Sequence, residues 1–290
     1  MSMPDLWGLA AILTKLMLYV GALGASGLVI VKLAFAQATS SLTQRLRSQA
    51  IALAALALVA SLLGFMLRGA ALTGGADGMT DPEMLSLLWQ TPVGDALLYR
   101  LAGGALIIVG SLMPRVGQWV AVAGCVLLLW SFTQIGHVTD IGPFYVRLLL
   151  LLHLFGIAFW IGVLPPLHRL SRKPDHLGQA ARLGHQFGLA AMVIVPVLLF
   201  AGLVMGWLLT GTLTALIGTG YGQALMVKLA LVAVVLMLAA ANKLRFVPAM
   251  QAGDANAARH LARSIQIETA VILAVLAATA TLTSVLTLPN

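Results

Sequence analysis

Eight long apolar runs divide this chain, and the segments between them are too short to hold a soluble domain. The runs are Leu6–Phe35, Ala50–Leu67, Ala96–Met113, Gln118–Ile135, Phe144–Leu164, Leu183–Thr210, Tyr221–Ala241 and Leu261–Leu286. Each holds about 18 residues or more, and a helix rising 1.5 Å per residue needs about 20 to cross a hydrocarbon core roughly 30 Å thick. Of the 290 residues, 60% are hydrophobic and only 9% charged, which excludes a water-soluble domain. The expectation is an all-α polytopic membrane protein, a bundle of eight transmembrane helices. The third and fourth runs are separated only by a turn at Pro114-Arg115, so they form an antiparallel hairpin.

The formal net charge of +8 does not signal nucleic-acid binding, because the basic residues are split among alternate connections. One set holds Arg45 and Arg47, then Arg115, then Arg169, Arg172, Lys173 and Arg182, then Lys243, Arg245, Arg259 and Arg263. The other holds Asp77, Asp81, Glu83, Asp95 and Asp140. The positive-inside rule then puts the basic connections in the cytoplasm and both termini outside. The outer face is acidic, either because that rule leaves carboxylates free to lie there or because the field gathers cations. The N-terminal Met1-Ser-Met-Pro-Asp5-Leu has no basic region of the signal-peptide kind, so the first apolar run is expected to be retained. A single cysteine, Cys125, rules out a disulfide framework and a cysteine metal cluster. By organisation the chain divides into 1–94, two spans with an outer loop; 95–180, the central spans; and 181–290, the last three.

In lipid, polar side chains need a reason to be present. Lys32, Arg100 and Arg147 lie near span ends and are expected to snorkel, as is Lys15 in the long first span. His153 sits about ten residues into the fifth span, roughly 15 Å deep. Its helix face also carries Gly156 and Trp160, at i+3 and i+7, and Gly156 would admit a neighbouring backbone. His137 follows the fourth span at the outer surface, with Gln134 one turn below it. Either histidine alone reads as an ordinary residue, solvated for His137 and hydrogen-bonded across the bundle for His153. Together they suggest two imidazoles on the way of a descending cation. No catalytic residue stands out, and the chain reads as a non-enzyme.

The available metal ligands are imidazole and thioether. Thioether favours Cu(I), while imidazole also accepts zinc or iron. Met79 and Met84 lie in the outer loop and are weaker ligand candidates, since methionine is also a routine core filler. Lys228 and Glu268, in the last two spans, form a second constellation. Antiparallel neighbours would bring them within reach, either as a structural pair or as a relay. Asn242 ends the seventh span. His168, His176, His185 and His260 accompany the basic connections and read as solvated loop residues.

The stretch Ser131-Phe-Thr-Gln-Ile-Gly136-His137, followed by Leu152-His153-Leu-Phe-Gly156-Ile-Ala-Phe-Trp160-Ile-Gly162-Val-Leu, resembles the GH…H-x6-W-x-G-G-L pattern of the CopD/PcoD copper-resistance membrane proteins. From about Ala181 to Leu288 the chain resembles the CopD domain, through Thr219-Gly-Tyr221-Gly222, Lys228-Leu-Ala-Leu-Val, Ala241-Asn242-Lys243, Arg263-Ser-Ile-Gln-Ile-Glu268 and Leu282-Thr-Ser284. Val163 stands where the pattern has its second glycine. The resemblance implies a bacterial inner-membrane protein with periplasmic termini that moves copper toward the cytoplasm, often served by a separate periplasmic CopC-type carrier. It makes His137 and His153 the candidate metal ligands, with Gln134, Gly156, Trp160, Lys228, Asn242 and Glu268 along the pathway. No G-x4-G-K-[ST] motif is present, so transport would be passive or ion-coupled. The alternative is a haem-binding electron-transfer protein, in which His153 would need a second axial histidine from His137 or His185.

Overall fold

The structure, a computed structural model, describes residues 6–114, 116–137 and 143–284; Asp5, Arg115 and Asp140 lie outside them. The described chain is helical, with no strand among the described residues. Its helices are α1 (Leu6–Ala34), α2 (Thr43–Thr73), the short α3 (Pro82–Trp89), α4 (Pro92–Leu112), α5 (Gly117–Trp130), α6 (Phe144–Ser171), α7 (Leu177–Thr210), the short α8 (Leu213–Gly218), α9 (Gly220–Ala241), the short α10 (Val247–Gln251) and α11 (Ala255–Ser284). Seven of these, α1, α2, α4, α6, α7, α9 and α11, are long and apolar enough to cross a membrane. The protein is an all-α polytopic membrane protein.

The expected fourth crossing is the one the structure shortens. Instead of an unbroken Gln118–Ile135 run, α5 holds 14 residues, about 21 Å of helix. A 3-10 turn at Ser131–Thr133 follows, and then Gly136 at φ +116°, a backbone state that side chains other than glycine resist. Elsewhere the boundaries follow local chemistry. The Asp81 carboxylate accepts the backbone N–H of Glu83 at 2.9 Å to open α3, with Pro82 at its first position. Thr91 and Thr219 cap α4 and α9 through the N–H groups of Val93 and Gly222. Gly74, at φ +75°, ends α2.

Neighbouring helices alternate in direction. Gly103 meets Leu128 and Gly110 meets Ala121 along the α4–α5 hairpin, and Gly206 meets Leu225 while Gly188 meets Lys243 between α7 and α9. The tightest seam joins α1 to α6. A methyl group on Gly27 would overlap the Ala158 carbonyl, and one on Gly162 would overlap the Gly27 backbone. Glycine is required on both sides, as in small-residue contacts between membrane helices. Val163, where the copper-resistance pattern has glycine, is fully buried, and Gly162 makes the close approach in its place. The basic residues Arg45, Arg47, Arg169, Lys243, Arg245, Arg259 and Arg263 gather at one end of the bundle on helix termini. Asp77, Asp81, Glu83 and Asp95 gather at the other. These are called the basic end and the acidic end below.

Candidate functional site

The sequence-selected residues fall at three levels along α6, α7 and α9. Uppermost, toward the acidic end, the His137 ring lies 5.8 Å from the ring of Tyr221 at the start of α9. Tyr221 is buried there. Gly222 lets α9 begin against the carbonyls of Ala215 and Leu216, where a side chain would collide. Gln134 turns back on its own chain, its Nε2 donating to Thr133 Oγ1 at 3.0 Å.

At the middle level, His153 points from α6 onto α7, with its Nδ1 3.0 Å from the Leu198 carbonyl oxygen. A carbonyl can only accept, so Nδ1 carries the proton and the lone pair of the neutral ring sits on Nε2. Two glycines shape this contact. A Cβ on Gly202 would stand 3.1 Å from His153 Cε1, and one on Gly156 would stand 3.1 Å from Leu198 Cδ1. Lys228 of α9 lies within electrostatic reach of the same ring. Tyr221 is about two turns up α9 from Lys228, so the His137 and His153 levels differ by roughly 10 Å.

At the lowest level, Glu268 is only 2% exposed and is gripped from two helices. Trp160 Nε1 donates to its Oε1 at 2.6 Å, and Asn242 Nδ2 donates to its Oε2 at 2.8 Å. Asn242 opens a π-helical turn, Asn242–Phe246, a widening that frequently marks functional positions. Beside the carboxylate is a cavity of about 250 Å³ whose polar lining comes from Glu268, Asn242 and Lys243, with Trp160, Phe187 and Met192 among its apolar walls.

Several expectations are corrected. Lys228 and Glu268 do not pair. Asn242 is level with Glu268, and Lys228 stands almost four turns away along α9, about 21 Å. The α9–α11 register therefore gives Glu268 to Trp160 and Asn242, and Lys228 to His153. His168 is not a solvated loop residue: it lies on α6 with Nδ1 3.1 Å from the Ala262 carbonyl. His260 is exposed, as expected, but lies on α11 instead of in a loop, with its ring 6.0 Å from that of Phe246. Lys15 and Arg100 turn inward instead of snorkelling, Lys15 onto the Thr283 carbonyl at 2.6 Å and Arg100 onto Ser131 Oγ at 3.3 Å. Met79 and Met84 are half-buried in the segment packed on α2 and α4, whereas His153 faces α7. Among the described residues, no three His, Cys, Asp or Glu side chains converge to cage a metal ion.

Sequence reasoning missed the Trp160–Glu268 contact, although a signal for it existed. An indole needs an acceptor when buried, and Glu268 was the one carboxylate at comparable depth.

The comparisons with known proteins agree with one another. The family described as "Copper resistance protein D" matches residues 181–282. "Copper resistance protein D-like, N-terminal domain" matches residues 3–142. The copper transport protein CutJ of Bacillus subtilis (strain 168) is 32% identical over 163 residues, covering 54% of this chain and 28% of that protein. The chain thus spans less than a third of that relative's length. No solved structure matches the chain. Both halves of the bundle therefore point the same way, and the chain belongs to the copper resistance protein D family.

Proposed function

We propose that this protein carries copper across the bacterial inner membrane, from an acidic periplasmic end toward the basic cytoplasmic end, along the seam of α6 with α7 and α9. The observation that carries this reading is the His153 hydrogen bond to the Leu198 carbonyl. A metal-binding histidine typically donates its other N–H to a carbonyl or carboxylate, which fixes the tautomer and aims the ligating nitrogen. His153 Nε2 is the intramembrane copper ligand. His137 stands roughly 10 Å nearer the acidic end and receives the ion first, so the two imidazoles act in succession instead of sharing one ion. Met79 and Met84 have a lesser part, as thioethers near the acidic end where a CopC-type carrier would deliver copper. The cavity at Glu268 and Asn242 is the next station toward the cytoplasm.

Lys228 beside His153 keeps a cation from resting there, and conduction requires binding weak enough to release. The test is copper content in cells expressing wild type or His153→Ala at equal membrane levels. The variant should accumulate copper no faster than cells lacking the protein. Accumulation equal to that of wild type would remove His153 from the path.

A further inference from the structure

Three cations lie within electrostatic reach of one another toward the acidic end of the bundle. Lys15 on α1 donates to the Thr283 carbonyl of α11 at 2.6 Å. Tyr19, one turn along, holds Thr283 Oγ1 at 3.2 Å and lies with its ring 5.5 Å from that of Phe132. Arg100 on α4 lies over the same Phe132 ring at 5.4 Å, and its Nε donates to Ser131 Oγ. Arg68 reaches the group from α2. Gly64, one turn before it, faces Thr14, with 3.5 Å from a Gly64 Cβ to Thr14 Cγ2. Each of Lys15 and Arg100 feels the Arg68 charge.

Like charges gathered below a membrane surface repel one another and lose hydration, so they persist where an anion pays them back. Among the described residues, no carboxylate forms an ion pair with any of the three. Donors also remain: among the described residues, the terminal guanidinium nitrogens of Arg100 and all three nitrogens of Arg68 make no hydrogen bond to the protein. Two guanidinium forks and an ammonium suit the tetrahedral oxygens of a phosphate group.

Depth and exposure favour the phosphate of a lipid. With 31 residues, α2 is about 46 Å long and overhangs a 30 Å core by about 8 Å at each end. Arg68 lies about 8 Å from the acidic end of α2, at the level where headgroup phosphates begin. Its side chain is exposed on the bundle surface, whereas Lys15 and Arg100 are half-buried behind it.

We propose that Arg68, Arg100 and Lys15 form a phosphate site at the acidic end, open sideways to the bilayer between α1, α2 and α4. Its ligand is a phosphate group, supplied by an anionic phospholipid or by inorganic phosphate. Basic pockets between transmembrane helices hold anionic headgroups at cytoplasmic faces, and the same chemistry serves here at the acidic end.

Native mass spectrometry of the full chain, released from nanodiscs holding equal phosphatidylglycerol and phosphatidylcholine, tests this. Wild type should retain phosphatidylglycerol in preference to phosphatidylcholine. Arg68→Gln, a change at an exposed side chain that leaves the core intact, should lower that retention about tenfold, the loss expected for one charge-assisted contact. Arg68→Lys should restore part of it. A second arm adds inorganic phosphate to lipid-stripped protein. Phosphate adducts that vanish in Arg68→Gln, without lipid preference, would also support the site and name the solution ion as its source. Equal retention of both lipids with no phosphate adduct, or retention unchanged in both Arg68→Gln and Arg100→Gln, overturns the proposal.

Discussion

The central helix α1 and the outer helices α7 and α9 are packed by different rules. In the most apolar stretch of α1, 61% of residues are buried inside the protein; in those of α7 and α9 the shares are 11% and 6%. The α1 contacts are backbone against backbone, with glycine at Gly27 and Gly162. In the second half, α7 carries Pro196 within it and α9 runs into a π-helical turn. Both interrupt the regular backbone ladder. The residues proposed to touch copper lie where the two regimes meet, on the face of α6 turned toward α7, α9 and α11. A rigid wall holds His153 and Trp160, and loosely packed helices supply Leu198, Lys228 and Asn242.

The contrast can be broken most forcefully at the rigid seam. Gly27→Leu should prevent α1 from reaching α6, costing more than about 3 kcal/mol and abolishing monodisperse protein in detergent. Gly206→Ala, whose added methyl meets only Leu225 at 3.8 Å, should purify normally. If both purify alike, α1 and α7 do not differ in packing tolerance.

Next in size is His153→Ala, which should purify like wild type yet lose bound copper by at least about tenfold. His137→Ala should slow uptake while leaving copper on His153. A Soret band in purified wild type would instead favour the haem alternative.

Glu268→Gln keeps one acceptor for two donors, so either the Trp160 or the Asn242 N–H loses its partner. The expected loss is about 1–3 kcal/mol, read as a lower unfolding midpoint. Restoration by Trp160→Phe in the same chain would show that the indole was the stranded donor.

The smallest expected change is a gain. Lys228→Met removes a neighbouring positive charge and should raise copper retained at His153 a few-fold while slowing its release. Unchanged retention would remove Lys228 from the site.

Much of the fold was legible because hydrocarbon enforces long apolar runs, and seven of the eight emerge as helices of spanning length. The fourth is an apolar helix as well, but a shorter one: apolarity continues through Ser131–Thr133, where the helix tightens, and Gly136 then turns the chain. His153 could be singled out because a polar ring in lipid is costly. Its partner could not, since the Leu198 carbonyl looks like every other carbonyl in a sequence and Gly202 like every other glycine. The Lys228–Glu268 pairing failed for a related reason. Composition gives depth within one helix, but the register between α9 and α11 is set by packing, and Asn242 rather than Lys228 came level with the carboxylate. Arg100 was read as snorkelling because the sequence did not reveal Ser131 and Phe132 waiting beside it.

Neither family match covers α6, the helix between residues 142 and 181. One flank of it is fused to the first half at Gly162, and the other presents His153 and Trp160 to the second. It is therefore the common wall of two rooms. Dissecting the chain at the borders of its recognisable modules would strip each fragment of a side, and chimaeras that exchange the last three crossings should keep α6 with its native α1.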